Sequence, residues 1–365
     1  MRIGIDCRLA GPDHAGIGRY TAELVNNLLS TSNTIEWVLF CSNQQQAEYL
    51  IGSNKSKRVR AVICTIQHYS LAEQFLLPWI FYREKLDLLH VPHFNVPLAY
   101  RKPYFITIHD LLWHHHRGQQ VTTLHPWIYW LKYLGYRLVA SQAIKTAKHI
   151  FVPSEEIKQT LHQYYPTMRM KIEVTYEGVS LEPPQILRKS LPKNYLLFVG
   201  SLYPHKNIAV VLKALQELPE LQLVLVGSRS VFSQQIHQLV TTLDVEKQVT
   251  FFGRATEGEL HTLYKNAYAL VQPSLSEGFG LTGIEAMATG TPVIASDISI
   301  FHEVYQDAAV FCQPHDPKSF VQAIQQLPKH SKDLRALGLK LSKQYSWQKM
   351  ASATLSAYQR FLAHS

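Results

Sequence analysis

Thirteen short, β-rich apolar runs punctuate the chain, and helical patterns fill the intervals between them. In the first half the runs are Arg2–Cys7, Trp37–Cys41, Val59–Ile66, Leu86–Val91, Tyr104–His109, His149–Pro153 and Ile172–Tyr176. In the second they are Tyr195–Val199, Leu221–Val226, Val249–Phe252, Ala267–Gln272, Val293–Ser296 and Ala309–Cys312. Most are continuous rather than alternating, which is the pattern of strands covered on both faces. Strand–helix–strand repetition demands parallel sheets with right-handed crossovers. The runs fall into two sets, and 365 residues exceed one ordinary core. The expectation is an α/β chain of two doubly wound, Rossmann-like domains.

Residues 181–194 divide the sets. With Pro183, Pro184, Pro192, Arg188, Lys189 and Lys193 they read as an exposed linker between domains at 1–180 and 195–345. After the last run comes a helical pattern over 346–365, with Trp347, Met350, Leu355, Tyr358 and Phe361 on one side. No strand follows it, so it must pack on something already built, and the first domain is a candidate. There is no internal repeat of 20–50 residues.

Composition narrows the class. Hydrophobic residues make up 46% and charged residues 17%, which is globular. No apolar run reaches the roughly 18 residues of a spanning helix, and the N-terminus enters a strand at once without a signal-peptide pattern. Cys7, Cys41, Cys64 and Cys312 show no paired spacing and read as buried thiols in a reducing cytosol. The net charge is +9, with 19 Lys+Arg against 13 Asp+Glu in residues 1–180. That suits acidic substrates, anionic lipid or nucleic acid. No basic recognition helix, finger or RNP-like motif is present, so a nucleic-acid partner is not expected.

Ligands of open parallel sheets bind outside the carboxyl ends of strands. One such end is Glu277-Gly278-Phe279-Gly280, opening a short helix from about Leu281 to Thr289 that Gly290 stops. A turn of unpaired N–H groups at a helix N-terminus favours a phosphate. Glu277 and Glu285 bracket that turn, and carboxylates accept hydrogen bonds from hydroxyls. Phosphate and hydroxyls in one site suggest a nucleotide sugar.

Other strand ends are weaker. Pro204-His205-Lys206-Asn207 offers a lysine suited to diphosphate, or a solvated loop lysine. His109-Asp110 is a hydrogen-bond donor at a strand end, or a structural histidine. Gly16-Ile17-Gly18-Arg19 lacks the third glycine of a dinucleotide fingerprint. It is a helix-entry turn that still permits close backbone approach to an anion. His114-His115-His116 tempts a metal reading, but consecutive side chains diverge and no carboxylate pattern completes a site. No Asp-x-Asp occurs anywhere, so a metal-independent site is expected. The segment Trp127–Arg137 mixes aromatic and basic residues, as either a membrane-interfacial helix or one packed on the first sheet. Phe75–Lys85 carries the same ambiguity.

Taken together, Gly4–Arg8, Gly16–Tyr20, Thr107–Leu111, Val152–Ser154, Val199–Asn207 and Glu277–Ala288 resemble the retaining glycosyltransferases of family 4, over nearly the whole chain. The combination of Gly-Ile-Gly-Arg-Tyr, Ile-His-Asp and Tyr-Pro-His-Lys-Asn is similar to the bacterial mannosyltransferase-like branch that builds surface polysaccharides. The resemblance implies a GT-B fold, two such domains with their sheets facing a central cleft, the final helix crossing back to the first. It implies a nucleotide-sugar donor, most readily GDP-mannose with a UDP-sugar as rival, and a lipid-linked or saccharide acceptor. The setting it implies is cytoplasmic, with room for peripheral contact at the inner face of the plasma membrane.

Roles are implied too. Glu285 would hold ribose hydroxyls and Glu277 the donor sugar. The N–H groups of Phe279, Gly280 and Leu281 after Gly278 would meet sugar and phosphate. Lys206, helped by His205, would neutralise the diphosphate. Gly16 and Gly18 would admit it closely, and His109 would stand near the reacting carbon. Backbone around Phe252-Gly253-Arg254 would read the base. Ser201 stands where the family usually has an arginine on the diphosphate. A front-face substitution is implied, because a double displacement needs a carboxylate nucleophile that the motifs do not offer. A catalytically silent sugar-nucleotide-binding protein is the other reading.

Overall fold

A computed structural model of the chain describes residues 1–11, 14–31, 34–52, 56–111, 125–167, 172–227 and 232–364. The cluster His114–His116, the loop residues Pro12 and Asp13, and Ser228 and Arg229 lie outside the described residues.

The chain forms two compact units. The first is built from Met1–Leu111, Pro126–Gly178 and Ser346–Ser365. Its sheet holds seven strands in the order β3-β2-β1-β4-β5-β6-β7. These are β1 (Arg2–Asp6), β2 (Glu36–Cys41), β3 (Val59–Ile63), β4 (Leu88–Val91), β5 (Tyr104–Thr107), β6 (His149–Val152) and β7 (Ile172–Val174). Every pair is parallel. Several strands are shorter than the apolar runs that announce them, because the flanking apolar residues turn into the core after the ladder ends.

Helices cover both faces of this sheet. On one lie α1 (Ala15–Thr31), α2 (Gln44–Ile51) and α12 (Trp347–Ala363). On the other lie α3 (Leu71–Arg83), α4 (Pro126–Thr146) and α5 (Glu155–Tyr164). Strand alternation makes the division visible. Leu89 and Val91 of β4 join Leu77 and Phe81 of α3, Ile144 of α4 and Leu161 of α5 in one core. His90 between them points the other way, to Tyr358 of α12. Each fully buried Leu or Phe side chain here contributes about 1.5–3 kcal/mol. The stripe of the last helix is accounted for: Trp347, Met350, Leu355 and Tyr358 are all buried.

The second unit is built around Val179–Tyr345. Its six parallel strands run in the order β10-β9-β8-β11-β12-β13. They are β8 (Tyr195–Val199), β9 (Gln222–Val226), β10 (Val249–Gly253), β11 (Ala269–Gln272), β12 (Val293–Ser296) and β13 (Ala309–Cys312). One face packs on α6 (Ile208–Leu215), α7 (Ser233–Thr242) and α11 (Pro317–Ser342). The other packs on α8 (Glu257–Asn266), α9 (Leu281–Ala288) and α10 (Ser299–Tyr305).

The segment after Val179 departs from a free linker. Its side chains are mostly exposed, yet the Gln185 amide donates to the Gly258 carbonyl (3.0 Å) and Arg188 Nη1 pairs with Glu259 Oε2 (2.8 Å). Leu187 and Leu191 pack on the second core. Gly258 permits this strap, since a Cβ there would fall 2.5 Å from the Gln185 side chain. The four cysteines are buried and free. Among the described residues, no helix is long and apolar enough to cross a membrane.

Both sheets are doubly wound, so each has a point where strand order reverses. In the second unit it lies between β8 and β11, and in the first between β1 and β4. Those points are where a crevice opens at the carboxyl ends of the strands.

Candidate active site

At the reversal point of the second unit, the loops after β8 and β11 are joined. The Leu275 amide donates to the His205 carbonyl (2.7 Å). Asn207 adopts a left-handed conformation (φ 53°), and its side-chain amide donates to the carbonyls of Pro273 (3.1 Å) and Pro314 (2.7 Å). These bonds hold a single turn, Pro204–Lys206, against the exit of β11. Lys206 Nζ consequently lies 2.6 Å from Glu277 Oε1, which also accepts from Ser274 Oγ at 2.7 Å.

This pair is sheltered, with side-chain exposures of 22% for Lys206 and 13% for Glu277. Burial pushes the Glu277 carboxyl up. The Lys206 charge and hydrogen bond, the Ser274 bond and the His205 charge outweigh burial and hold it below the usual carboxylate range. Glu277 is therefore an ionised hydrogen-bond acceptor with one oxygen engaged. Its other oxygen can accept a hydroxyl.

The turn beyond Glu277 is shaped by glycine. Gly280 sits at φ 95° as the N-cap of α9 and brings no side-chain cap. The Gly283 amide donates to the Gly280 carbonyl (3.0 Å), and the N–H groups before it at the start of the helix receive no side-chain cap from Gly280. Underneath lies Tyr305, whose hydroxyl lies 2.5 Å from both Gln272 Oε1 and the Gly280 carbonyl and has one proton to share between them. A Cβ on Gly283 would fall 2.3 Å from the Tyr305 ring, which explains a glycine inside a helix. Phe279 is buried with its ring edge-on to Tyr345 (5.3 Å). Glu285 is buried one turn further in, and its Oε2 accepts from the Tyr264 hydroxyl at 2.7 Å.

Neighbouring strands end in glycines that touch. A Cβ on Gly227, after β9, would fall 2.1 Å from the Gly200 carbonyl, after β8. The Gly227 amide donates to the Gly253 carbonyl at the end of β10 (3.0 Å). The result is a floor of backbone beside the Lys206–Glu277 pair. Ser201 follows it, half-buried. The Arg254 carbonyl accepts from Arg188 Nη2, whose guanidinium lies over the Phe252 ring (4.6 Å).

Two family models match this chain: residues 14–183 match Glycosyltransferase Family 4, and residues 181–342 match glycosyl transferases group 1. The O-antigen chain mannosyltransferase RfbU of Salmonella typhimurium is 33% identical over 76% of this chain and 74% of its own length. The chain belongs to glycosyltransferase family 4. A second relative, O-antigen chain mannosyltransferase B of Escherichia coli, is 28% identical over 94% and 95% of the two chains. Among solved structures, sucrose-phosphate synthase of Thermosynechococcus elongatus superposes with TM-score 0.81 at 20% identity, covering all of both chains. The Anabaena protein HepE, solved with UDP-glucose, gives 0.73 at 17% identity, covering 98% of this chain and all of its own. These likenesses show the two-domain GT-B fold.

The remaining candidate residues of the glycosyltransferase are in the first unit. His109 is nearly buried: its Nε2 lies 3.2 Å from the Pro92 carbonyl and its Nδ1 3.5 Å from Glu177 Oε1, with the Tyr20 ring edge-on at 4.6 Å. Gly18 has a packing reason, since its Cβ would fall 2.0 Å from the Gly11 carbonyl. Gly16 has none: it lies exposed in the first turn of α1 with open space where a Cβ would go.

Ser201, His205, Lys206, Glu277, Gly278, Phe279, Gly280 and Leu281 thus gather at one sheet edge, with Glu285 beneath. The motifs did not reveal Ser274, Gln272, Tyr264 or Tyr305. Gly283 was the one available hint, as a glycine inside a helical pattern implies close approach by a neighbour.

Proposed function

We propose that this glycosyltransferase moves a hexose, mannose from GDP-mannose, with retention of configuration to a lipid-linked or saccharide acceptor in surface polysaccharide synthesis. The observation that carries the reading is the Lys206–Glu277 pair at the mouth of the Gly278–Leu281 turn. It sets one cation, one ionised hydroxyl acceptor and a run of helix-opening N–H groups side by side. A sugar diphosphate presents the complementary groups.

In this reading Glu277 orients sugar hydroxyls and is too firmly engaged by Lys206 and Ser274 to act as a nucleophile. The substitution then runs on the front face. The bond from the anomeric carbon to the diphosphate breaks as the acceptor oxygen bonds from the same side, and the leaving oxygen takes the acceptor's proton. Lys206 and the N-terminus of α9 stabilise the charge that develops on the diphosphate. His109, held by the Pro92 carbonyl and Glu177, stands near the reacting carbon. Glu285 holds the ribose, with Gly16 allowing close backbone approach. No metal is required, since Lys206 supplies the counter-charge.

Mannose is favoured because the two sequence relatives carry that name. Incubating the protein with GDP-mannose, UDP-glucose and other nucleotide sugars, with a lipid-linked oligosaccharide, tests this. Transfer from GDP-mannose that persists in EDTA supports it. Transfer from a UDP-sugar alone moves the donor assignment to the rival. Donor binding without transfer or hydrolysis by any donor leaves a silent sugar-nucleotide-binding protein.

We place the enzyme against the membrane through the first unit. Among the exposed side chains are Leu71, Phe75 and Trp79 of α3 and Trp127, Trp130, Leu131, Leu134 and Leu138 of α4. Their spacing of three and four puts each set on one stripe, and both helices share a sheet face. Residues 126–146 add Lys132, Arg137 and Lys145 and no carboxylate. Aromatic, apolar and basic side chains together suit an anionic bilayer surface. Co-sedimentation with phosphatidylglycerol vesicles, abolished by Trp127→Ala with Trp130→Ala and Leu134→Ala, is the expected result. Protein that stays in the supernatant at low salt overturns it.

A further inference from the structure

The first unit has its own reversal point, between β1 and β4, and a small cavity opens there. Asp6 ends β1, Val91 ends β4, and both line it with Thr21, His68, His93 and Asn95. About 10 Å³ is open to the centre of a water molecule, room for one water or one hydroxyl.

The wall is a buried charge network. The Arg8 guanidinium is 1% exposed. It donates to both oxygens of Asp6 (2.8 and 2.7 Å) and to Glu73 Oε1 (2.8 Å). Glu73 Oε2 accepts from Asn95 Nδ2 (2.5 Å) and the Tyr69 amide (2.8 Å). Two carboxylates thus share one guanidinium. Burial would raise both carboxyls, but the Arg8 charge and hydrogen bonds, joined at Glu73 by His68, hold them low and ionised.

Two imidazoles complete the wall, and both have nitrogens without a hydrogen-bond partner among the described residues. His93 is 8% exposed, its Nε2 lies 3.4 Å from the Tyr69 hydroxyl, and its Nδ1 is unpartnered. Burial lowers His93 to about 3, so it is neutral. His68 Nδ1 stands 3.3 Å from Glu73 Oε1 without hydrogen-bond geometry, and its Nε2 has no partner. Tyr69 is held at φ 61°, a strained conformation for a large side chain, by the bond of its amide to Glu73. Buried polar nitrogens left open beside an ordered charge network imply a missing partner.

The cavity also adjoins His109, whose Nε2 meets the carbonyl of Pro92 from the cavity wall. We propose that this cavity receives one hydroxyl of a neutral saccharide acceptor, with His93, His68 and Asp6 as its hydrogen-bond partners. The inference rests on the transferase reading above. An excess of buried negative charge opposes a phosphate here, whereas a hydroxyl both donates and accepts. With the Tyr69 hydroxyl donating to Nε2, His93 Nδ1 carries the ring proton and donates to the incoming oxygen. Asp6 accepts its proton. These are positioning residues, since they hold the acceptor rather than touch the donor.

The test uses the full-length protein with GDP-mannose and two acceptor panels, methyl glycosides of neutral hexoses and the matching hexose 6-phosphates. Transfer to a neutral glycoside is expected. His93→Ala should then raise the acceptor KM at least tenfold, with the GDP-mannose KM changed less than twofold. His93→Gln, which keeps a donor, should recover most of the loss and shows that folding is not at fault. An unchanged acceptor KM in His93→Ala, or preference for the phosphates, overturns the inference. So does a protein that GDP-mannose stabilises in a thermal melt but that uses no neutral glycoside. A protein that neither binds nor hydrolyses GDP-mannose or UDP-glucose fails earlier, at the transferase reading itself.

Discussion

His90 Nδ1 lies 2.5 Å from the hydroxyl of Tyr358, and this bond ties the last helix into the core of the first sheet. The chain of contacts continues through His90 Nε2 to Thr107 Oγ1 (2.9 Å) and on to the Tyr20 hydroxyl (3.1 Å). All four side chains are buried. Tyr358→Phe would leave an imidazole nitrogen buried without its partner, at about 1–3 kcal/mol. A lower urea midpoint with an unchanged fold by circular dichroism is the expected result.

The same histidine gives a pH dependence. Burial, with the His109 and His149 charges, lowers His90 to about 3, and His93 is lowered alike. A histidine depressed in the folded state binds its proton more readily when unfolded. The stability it contributes is complete above the unfolded value near 6.5 and is lost as pH falls toward 3. Between pH 6.5 and 4.5, before carboxylates titrate, stability should already decline with acid. Urea unfolding across that range should show the slope, and His90→Asn should reduce it by the share that His93 does not carry.

Lys206 and Glu277 add a second dependence of the same sign. In the native protein Glu277 is held low, so its contribution is present above about 4.5 and is lost as pH falls through the folded value. Lys206→Ala removes the nearest positive charge and leaves the sheltered carboxylate with only the Ser274 hydrogen bond and the His205 charge. The variant should gain less stability than the native protein as pH rises. Transfer should fall by roughly 100-fold or more, in line with loss of a group that stabilises developing charge. Melting temperatures from pH 4 to 8 and single-turnover transfer rates check the two halves separately.

Gly283 and Tyr305 form a tight contact under the Gly278–Leu281 turn. Gly283→Ala places a methyl 2.3 Å from the ring and must shift either α9 or α10. Overpacking of this kind costs about 1–3 kcal/mol. Tyr305→Phe removes the hydroxyl that lies between Gln272 and the Gly280 carbonyl, while keeping the ring. A raised KM for the donor in Tyr305→Phe, with acceptor KM constant, is expected if the turn is what Tyr305 positions.

Gly227 meets the Gly200 carbonyl, which is backbone and cannot rotate aside. Gly227→Ala should therefore separate the ends of β8 and β9. Isothermal titration with GDP should show weakened binding, while Gly16→Ala, with open space around it, should fold normally. Any loss of binding in Gly16→Ala would then report on the ligand rather than on packing.

Much of this molecule was legible in order. Thirteen apolar runs became thirteen strands, because strands buried on both faces must be apolar throughout. The strand end before Glu277 and the turn at Gly280 were legible because strand ends and glycine turns leave local marks. The linker read as exposed and its side chains mostly are, but nothing in the sequence marks that Arg188 and Gln185 bind it along α8, through partners more than 70 residues away. The aromatic helix α4 was ambiguous for a similar reason. Tyr129 and Tyr133 are buried while Trp127 and Trp130 are exposed, a division set by the sheet beneath.

By itself, then, the amino-acid order determined the two parallel sheets and the glycine turn that follows Glu277. Those follow from local periodicity and from chirality, which act over a few residues. Tertiary structure alone decided that Ser274 and Lys206 share one carboxylate oxygen, and that Tyr305 underlies the turn. It also decided that Arg8, Glu73 and two open imidazoles enclose a one-hydroxyl cavity. These arrangements depend on side chains brought together from distant loops. No periodicity records them, because their energy comes from burial and mutual charge that exist only once the sheets have closed.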